Sequence, residues 1–158
     1  MYGGSSVSAG RRALLGAGAG AAAAAFFGGS GRAFAEIEAL ERAIAEFGGE
    51  AGMAGGRGPL SLTLPRIAEN GNSVALSFSV ESPMTAEDHI ESVVILAPEN
   101  PYVRIATFHF TPMSGTAKAA TRMRLARTQD VIALARTGDG RRYRAQERVE
   151  VTIGGCGG

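Results

Sequence analysis

The chain has 158 residues, one cysteine and a formal net charge of +1, and 45% of its residues are hydrophobic but only 6% are aromatic. This composition fits one small soluble domain and excludes a wholly disordered chain. A single cysteine excludes an intrachain disulfide framework and multi-cysteine zinc sites, and the charge pattern is not that of a nucleic-acid-binding protein.

Residues 1–35 have the organisation of an export signal peptide. They contain no acidic residue, the pair Arg11-Arg12, a weakly apolar run at 13–27 and an A-x-A pattern at 33–35. This run is too short and too rich in Gly and Ala for a stable membrane-spanning helix. Arg11-Arg12 and the run after it resemble a twin-arginine signal, and a Sec signal is the alternative. We expect cleavage after Ala35, which removes three arginines, changes the net charge from +1 to −2 and leaves no membrane-bound segment.

Residues 36–58 are predicted to form a short helix followed by a glycine-rich linker. Ile37, Leu40, Ile44 and Phe47 recur at helical spacing between charged positions. Glycines follow the last of them, as is usual after a helix, and the linker closes at Pro59. The pattern leaves open whether this helix belongs to the core or contacts a partner.

Residues 59–153 are predicted to form an all-β domain, because the apolar positions now recur every second residue. Turn signals separate the apolar runs, and the last strand follows a tight turn at 137–140 and extends to Ile153. Several short strands separated by turns are typical of an antiparallel β-sandwich. The predicted strands before that turn are 60–64, 74–80, 90–97, 102–111, 119–127 and 131–136.

Residues 154–158 place the only cysteine, Cys156, between Gly154, Gly155, Gly157 and Gly158. Glycines allow wide backbone freedom, so this segment is predicted to be a mobile arm. Three extended residues would carry the Cys156 backbone roughly 10 Å beyond the sheet. No charged side chain after residue 150 would lower the pKa of the thiol below that of an ordinary cysteine. The arrangement is typical of a carrier that presents its thiol to other proteins, and we expect no catalytic residue.

Other interpretations of the tail are less consistent with the sequence. A prenylation motif requires cysteine at the fourth position from the end, whereas Cys156 is third. Ubiquitin-like sulfur carriers also end in two glycines, but they are cytoplasmic and this chain carries an export signal. The alternative that stays open is an exported β-sandwich interaction protein that dimerises through a Cys156 disulfide.

The remaining candidate residues give weaker signals. His89 and His109 are well separated and support no metal site, so we expect structural or interface roles for them and no cofactor. Two basic rows are typical of solvated sheet faces, and the alternative is that they attract anionic intermediates or acidic protein surfaces. The first row comprises Arg122, Arg124 and Arg127, and the second Arg141, Arg142 and Arg144.

The string VTIGGCGG at residues 151–158 resembles the carboxy-terminal signature of the SoxY family, the sulfur carriers of the thiosulfate-oxidising Sox system. Shorter similarities extend the likeness over roughly residues 36–158. They lie at 82–85, 100–101, 107–112, 121–126, 129–131 and 139–140.

The resemblance implies a periplasmic protein with an immunoglobulin-like β-sandwich that forms a heterodimer with SoxZ. Cys156 matches the cysteine that holds sulfur intermediates covalently. In this family the haem c enzyme SoxXA oxidatively couples thiosulfate to that thiol, which gives a cysteine S-thiosulfonate. SoxB then releases the terminal sulfone as sulfate, and SoxCD oxidises the remaining sulfur in systems that have it. The carrier itself catalyses none of these steps.

Overall fold

The computed structural model describes residues 30–49, 53–54 and 58–153. Arg11 and Arg12 of the predicted leader and all five residues of the predicted carrier arm lie outside the described residues. Within the described part, no helix is long and apolar enough to cross a membrane.

The described chain contains one helix, α1 (Ser30–Glu46), and a series of strands. A single 3-10 turn at Pro112–Ser114 joins the sixth strand to the seventh. The strands are β1 (Met53–Ala54), β2 (Leu60–Thr63), β3 (Ile67–Ala68), β4 (Val74–Val80), β5 (Ile90–Leu96), β6 (Arg104–His109), β7 (Ala117–Met123), β8 (Gln129–Thr137) and β9 (Arg142–Val151).

These strands form two sheets that pack face to face. The larger has the order β1-β9-β8-β5-β6, with β3 also paired to β9, and the smaller has the order β2-β4-β7. Neighbouring strands are antiparallel except for the two-residue strands β1 and β3, which run parallel to β9. The predicted all-β sandwich is therefore confirmed, and the region predicted as a linker contributes one short strand to it.

The smaller sheet follows the alternation seen in the sequence. In β4, Val74, Leu76, Phe78 and Val80 are buried, and the residues between them face outward. One face of this sheet covers the core, so only every second position needs to be apolar. Across the core, the rings of Phe78 and Phe108 meet edge to face with centroids 5.0 Å apart.

The central strands of the larger sheet are buried on both faces. In β5, Val93 and Ile95 point into the space between the sheets. Val94 and Leu96 point the other way and lie in a second cluster with residues of α1. The continuous apolar run of β5 is therefore explained by two covering layers, the small sheet on one side and the helix on the other.

Helix α1 belongs to the core. Ala43, Ile44 and Phe47 are buried against the outer face of the large sheet, whereas Ile37, which shares the predicted apolar face, is 54% exposed. The helix also begins six residues before the predicted start. It ends at Glu46, and the turn that follows contains Gly48, whose φ of +113° is a backbone conformation that side chains with a Cβ rarely adopt.

Candidate functional site: the base of the carboxy-terminal arm

The end of β9 is held by the chain on both sides of it. The amide of Val151 donates a hydrogen bond to the Thr128 hydroxyl at 2.9 Å, and the amide of Thr152 donates to the Ala68 carbonyl at 3.1 Å. Thr128 precedes β8 and Ala68 is the last residue of β3, so the end of β9 is fixed between two segments of the sandwich. The chain therefore leaves the domain from a defined position.

The buried Gly71 fixes the backbone of Ile153, two residues after the end of β9. Gly71 donates its amide hydrogen to the Ile153 carbonyl at 2.7 Å, and its carbonyl accepts the Leu125 amide at 2.8 Å. The turn that presents Gly71 is closed by the Asn72 amide, which donates to the Asn70 side-chain oxygen at 2.9 Å. The sequence identified these residues as a turn only. Their role in holding the base of the arm depends on contacts between distant segments.

Ile153 differs from its predicted place in the last strand. The predicted last strand extends to Ile153, but β9 ends at Val151 and Ile153 is 67% exposed. Its backbone is bound by the turn while its side chain contributes little to the core. Cys156 and the glycines around it lie outside the described residues, so the attachment site stays a prediction. Ile153 marks the base of the predicted arm.

The first predicted basic row lies at the same end of the sandwich as Ile153. Arg122 donates from Nη1 to the Ser73 hydroxyl at 3.2 Å, beside the turn that holds Ile153. Arg127 forms ion pairs with Glu36 at 2.5 Å and with Glu99 at 2.7 Å, so two carboxylates neutralise its charge. Of the predicted row, Arg127 is therefore already occupied by the protein itself.

The second basic row lies at the opposite end. It borders the turn between β8 and β9, about 30 Å along β9 from the base of the arm at ~3.3 Å per residue. Arg141 binds Asp88 at 2.6 Å and Asp139 at 2.8 Å. Hydrogen bonds from the Thr137 hydroxyl, and then from the Arg141 amide and guanidinium, lower the pKa of Asp139, while Asp139 and Asp88 raise the pKa of Arg141. This cluster stabilises a hairpin far from the predicted arm.

The two histidines do not form a site. His89 is half-buried with its ring against Gly138, and its Nδ1 is buried without a hydrogen-bond partner. His109 is exposed on β6. Among the residues that the structure describes, no group of three or more His, Cys, Asp or Glu side chains could hold a metal ion.

Comparison with known proteins gives the family. A family model described as "Sulfur oxidation protein SoxY" matches residues 44–156, which covers the sandwich, the end of α1 and the arm as far as the cysteine. A search of curated protein sequences finds no match.

The fold is also found in solved structures. The sulfur carrier protein SoxY from Chlorobium limicola f thiosulfatophilum is 28% identical with a TM-score of 0.61, and the match covers 74% of this chain and 99% of that one. A superoxide reductase (neelaredoxin) from Ignicoccus hospitalis is 15% identical with a TM-score of 0.54, and the match covers 58% of this chain and 79% of that one. The second likeness concerns the fold alone.

Proposed function

The chain belongs to the family of the sulfur oxidation protein SoxY, and we propose that it is a periplasmic carrier that holds sulfur intermediates covalently on Cys156 during thiosulfate oxidation. The observation that carries this proposal is the extent of the family match, which runs to residue 156, the position of the only cysteine in the chain. The similar Chlorobium protein is itself described as a sulfur carrier.

The proposed loading step joins the Cys156 thiolate to the outer sulfur of thiosulfate. A sulfur–sulfur bond forms, and the two electrons that are released pass to the haem c of the coupling enzyme SoxXA. The product is a cysteine S-thiosulfonate. In the next step, catalysed by SoxB, water attacks the terminal sulfur, the bond between that sulfur and its neighbour breaks, and sulfate leaves. A persulfide stays on Cys156, and SoxCD oxidises it where that enzyme is present.

The chain's own contribution is to position the thiol, not to activate it. The backbone of Ile153 is fixed by Gly71, so the arm starts from a constant point on the sandwich. The glycines on both sides of Cys156 let the thiol turn toward active sites of different shape. Residues 151–158 contain no charged side chain, which supports the proposal that the partner enzymes supply the acid–base chemistry. This division of labour supports a non-catalytic carrier.

The proposed partners and compartment follow from the family and the leader. We expect a stable heterodimer with SoxZ and transient complexes with the Sox enzymes. Cleavage after Ala35 would leave Ala43, Ile44 and Phe47 in the exported chain, so removal of the leader is compatible with the packing of α1. The periplasmic protein should have an intact mass that starts at Glu36. Substituting Arg11 and Arg12 with lysine should block export by the twin-arginine route and leave a Sec route largely unaffected.

The decisive experiment is mass spectrometry of the SoxZ-paired protein after incubation with thiosulfate and SoxXA. We expect a reducible thiosulfonate adduct that maps to Cys156. The matched control is Cys156→Ser, which should pair with SoxZ and unfold at the same denaturant concentration but acquire no adduct. If wild-type protein gains no adduct, or forms only a disulfide dimer, the carrier proposal is wrong and the alternative of an interaction protein that dimerises through Cys156 is favoured.

A further inference from the structure

We propose that Arg122 and Arg124 form a cationic site that attracts and holds the anionic, sulfonate-terminated groups carried on Cys156. This inference rests on the proposed carrier function and adds a residue-level site for the charged end of the cargo. These two residues are called the arginine pair below. Three observations support the inference: the position of the arginine pair, its lack of compensating charge and its short distance from the start of the arm.

The arginine pair lies two hydrogen bonds from the base of the arm. Ile153 is bound to Gly71, and Gly71 is bound to Leu125, which directly follows Arg124. Chains joined by one such bond lie about 5 Å apart, so two bonds correspond to about 10 Å. Cys156 can reach roughly the same distance from Ile153 in an extended chain. The thiol and its cargo can therefore reach the arginine pair without any change in the sandwich.

Arg122 is oriented toward the turn that binds Ile153. Its Nη1 donates to the Ser73 hydroxyl at 3.2 Å and approaches the Ser73 carbonyl at 3.5 Å. These bonds use one of the guanidinium nitrogens. In the described part of the chain, Nε and Nη2 of Arg122 form no hydrogen bond, so the donors that suit a sulfonate oxygen are available.

The described residues do not neutralise the charge of the arginine pair. Neither Arg122 nor Arg124 forms an ion pair in the described ranges. Arg127, at the same end, is bound by two glutamates, and Arg141, at the far end, by two aspartates. The nearest carboxylates along the chain at the arm base belong to the segments of β3 and β9. They are Glu69 and Glu150, both exposed, and neither forms an ion pair with Arg122 or Arg124.

The size of the effect follows from Coulomb's law. A unit negative charge about 7–10 Å from two guanidinium groups in water is attracted strongly enough to change a rate by about three- to fivefold at low ionic strength. Because the arginines are exposed, salt should reduce this advantage to less than about twofold at 1 M.

The test compares two reagents that modify Cys156 without any enzyme. With tetrathionate, the thiolate attacks an inner sulfur, a new sulfur–sulfur bond forms, the central bond breaks and thiosulfate leaves with the electron pair, so that Cys156 carries a thiosulfonate. With neutral methyl methanethiosulfonate, methanesulfinate leaves and Cys156 carries an uncharged methyl disulfide. Both reagents consume thiolate, so the ratio of their rates cancels any change in the ionised fraction of the thiol.

In Arg122→Gln/Arg124→Gln, we expect this rate ratio to fall about three- to fivefold at low salt, and in Arg122→Lys/Arg124→Lys to stay near the wild-type value. Lys118→Gln/Arg144→Gln removes the same charge from positions farther from the arm and should leave the ratio unchanged. In wild type, the tetrathionate adduct should shift the NMR signals of the Arg122 and Arg124 Nε–H groups, and the methyl adduct should not.

The inference is overturned if both reagents slow equally, if the distant control lowers the ratio as much, or if neither arginine signal responds to the charged adduct. Each of these outcomes leaves the carrier role intact, because enzymatic loading by thiosulfate is measured separately. Failure of wild-type protein to load enzymatically would instead remove the proposed function.

Discussion

Replacement of Ile44 by alanine tests whether α1 is a permanent layer of the domain. Ile44 is 7% exposed and lies in the cluster with Val94, Leu96 and Leu134 on the outer face of the large sheet. Ile37 lies about two turns earlier on the same helix and is 54% exposed. The pair allows the same chemical change to be made at a buried and at an exposed position of one helix.

The expected cost at Ile44 is large. The substitution removes three carbon atoms from a nearly dry site, which at about 0.8 kcal/mol each amounts to about 2.4 kcal/mol. The residual cavity adds to this loss, and the higher helix propensity of alanine returns about 0.4 kcal/mol. We therefore expect Ile44→Ala to lower the free energy of unfolding by about 3 kcal/mol. Ile37→Ala should change it by less than about 0.5 kcal/mol, because most of the side chain is already in water.

Equilibrium unfolding in urea, followed by circular dichroism, measures both values on the full chain. The reasoning is refuted if the two variants differ by less than about 0.5 kcal/mol, since α1 would then not cover Val94 and Leu96. A reduced slope of the Ile44→Ala transition would show instead that the helix detaches before the sandwich unfolds.

Two further substitutions test polar contacts inside the domain. Gln129 is 2% exposed, accepts a hydrogen bond from the Glu99 amide at 2.9 Å and donates one to the Asn100 side chain at 2.9 Å. Gln129→Leu should lower the free energy of unfolding in urea by about 2 kcal/mol, because it leaves buried polar groups without partners. An unchanged unfolding midpoint would contradict this. Thr137→Val removes the hydroxyl that contributes most to the lowered pKa of Asp139. A lowered pKa in the folded state means that this carboxylate stabilises the fold above the ordinary pKa of aspartate and that the stabilisation is lost as the pH falls through the lowered value. The variant should therefore show a higher Asp139 pKa in a carboxyl NMR titration and a weaker loss of stability in acid, and an unchanged titration would show that the hydroxyl is not the cause.

The strands of the small sheet could be predicted from the sequence because their burial depends on local alternation. Val74, Leu76, Phe78 and Val80 are buried as their spacing requires, and Leu60 pairs with Val80, so the first two predicted strands lie next to each other in the sheet. The spacing did not reveal that β3 leaves the connection between them and pairs with β9. Two residues are too few to produce a periodic signal.

The same limit applies to the helix. A period of 3.6 residues identified Ile37, Leu40, Ile44 and Phe47 as one apolar face, but a period does not say what covers that face or how far the cover extends. The sheet reaches Ile44 and Phe47 and leaves Ile37 largely in solvent.

What the sequence by itself determined about the candidate site is its chemistry: one thiol, four glycines around it and no nearby acid or base. Only the tertiary structure decided where the arm begins, since Gly71 binds Ile153 from a segment that is distant along the chain, and Arg122 binds Ser73 beside that turn. The sequence also did not distinguish these arginines by charge compensation, because Arg127 and Arg141 are neutralised by carboxylates that folding brings to them while Arg122 is not. Side-chain identity is local information, whereas compensation of charge depends on distances that exist only after the sheets have packed.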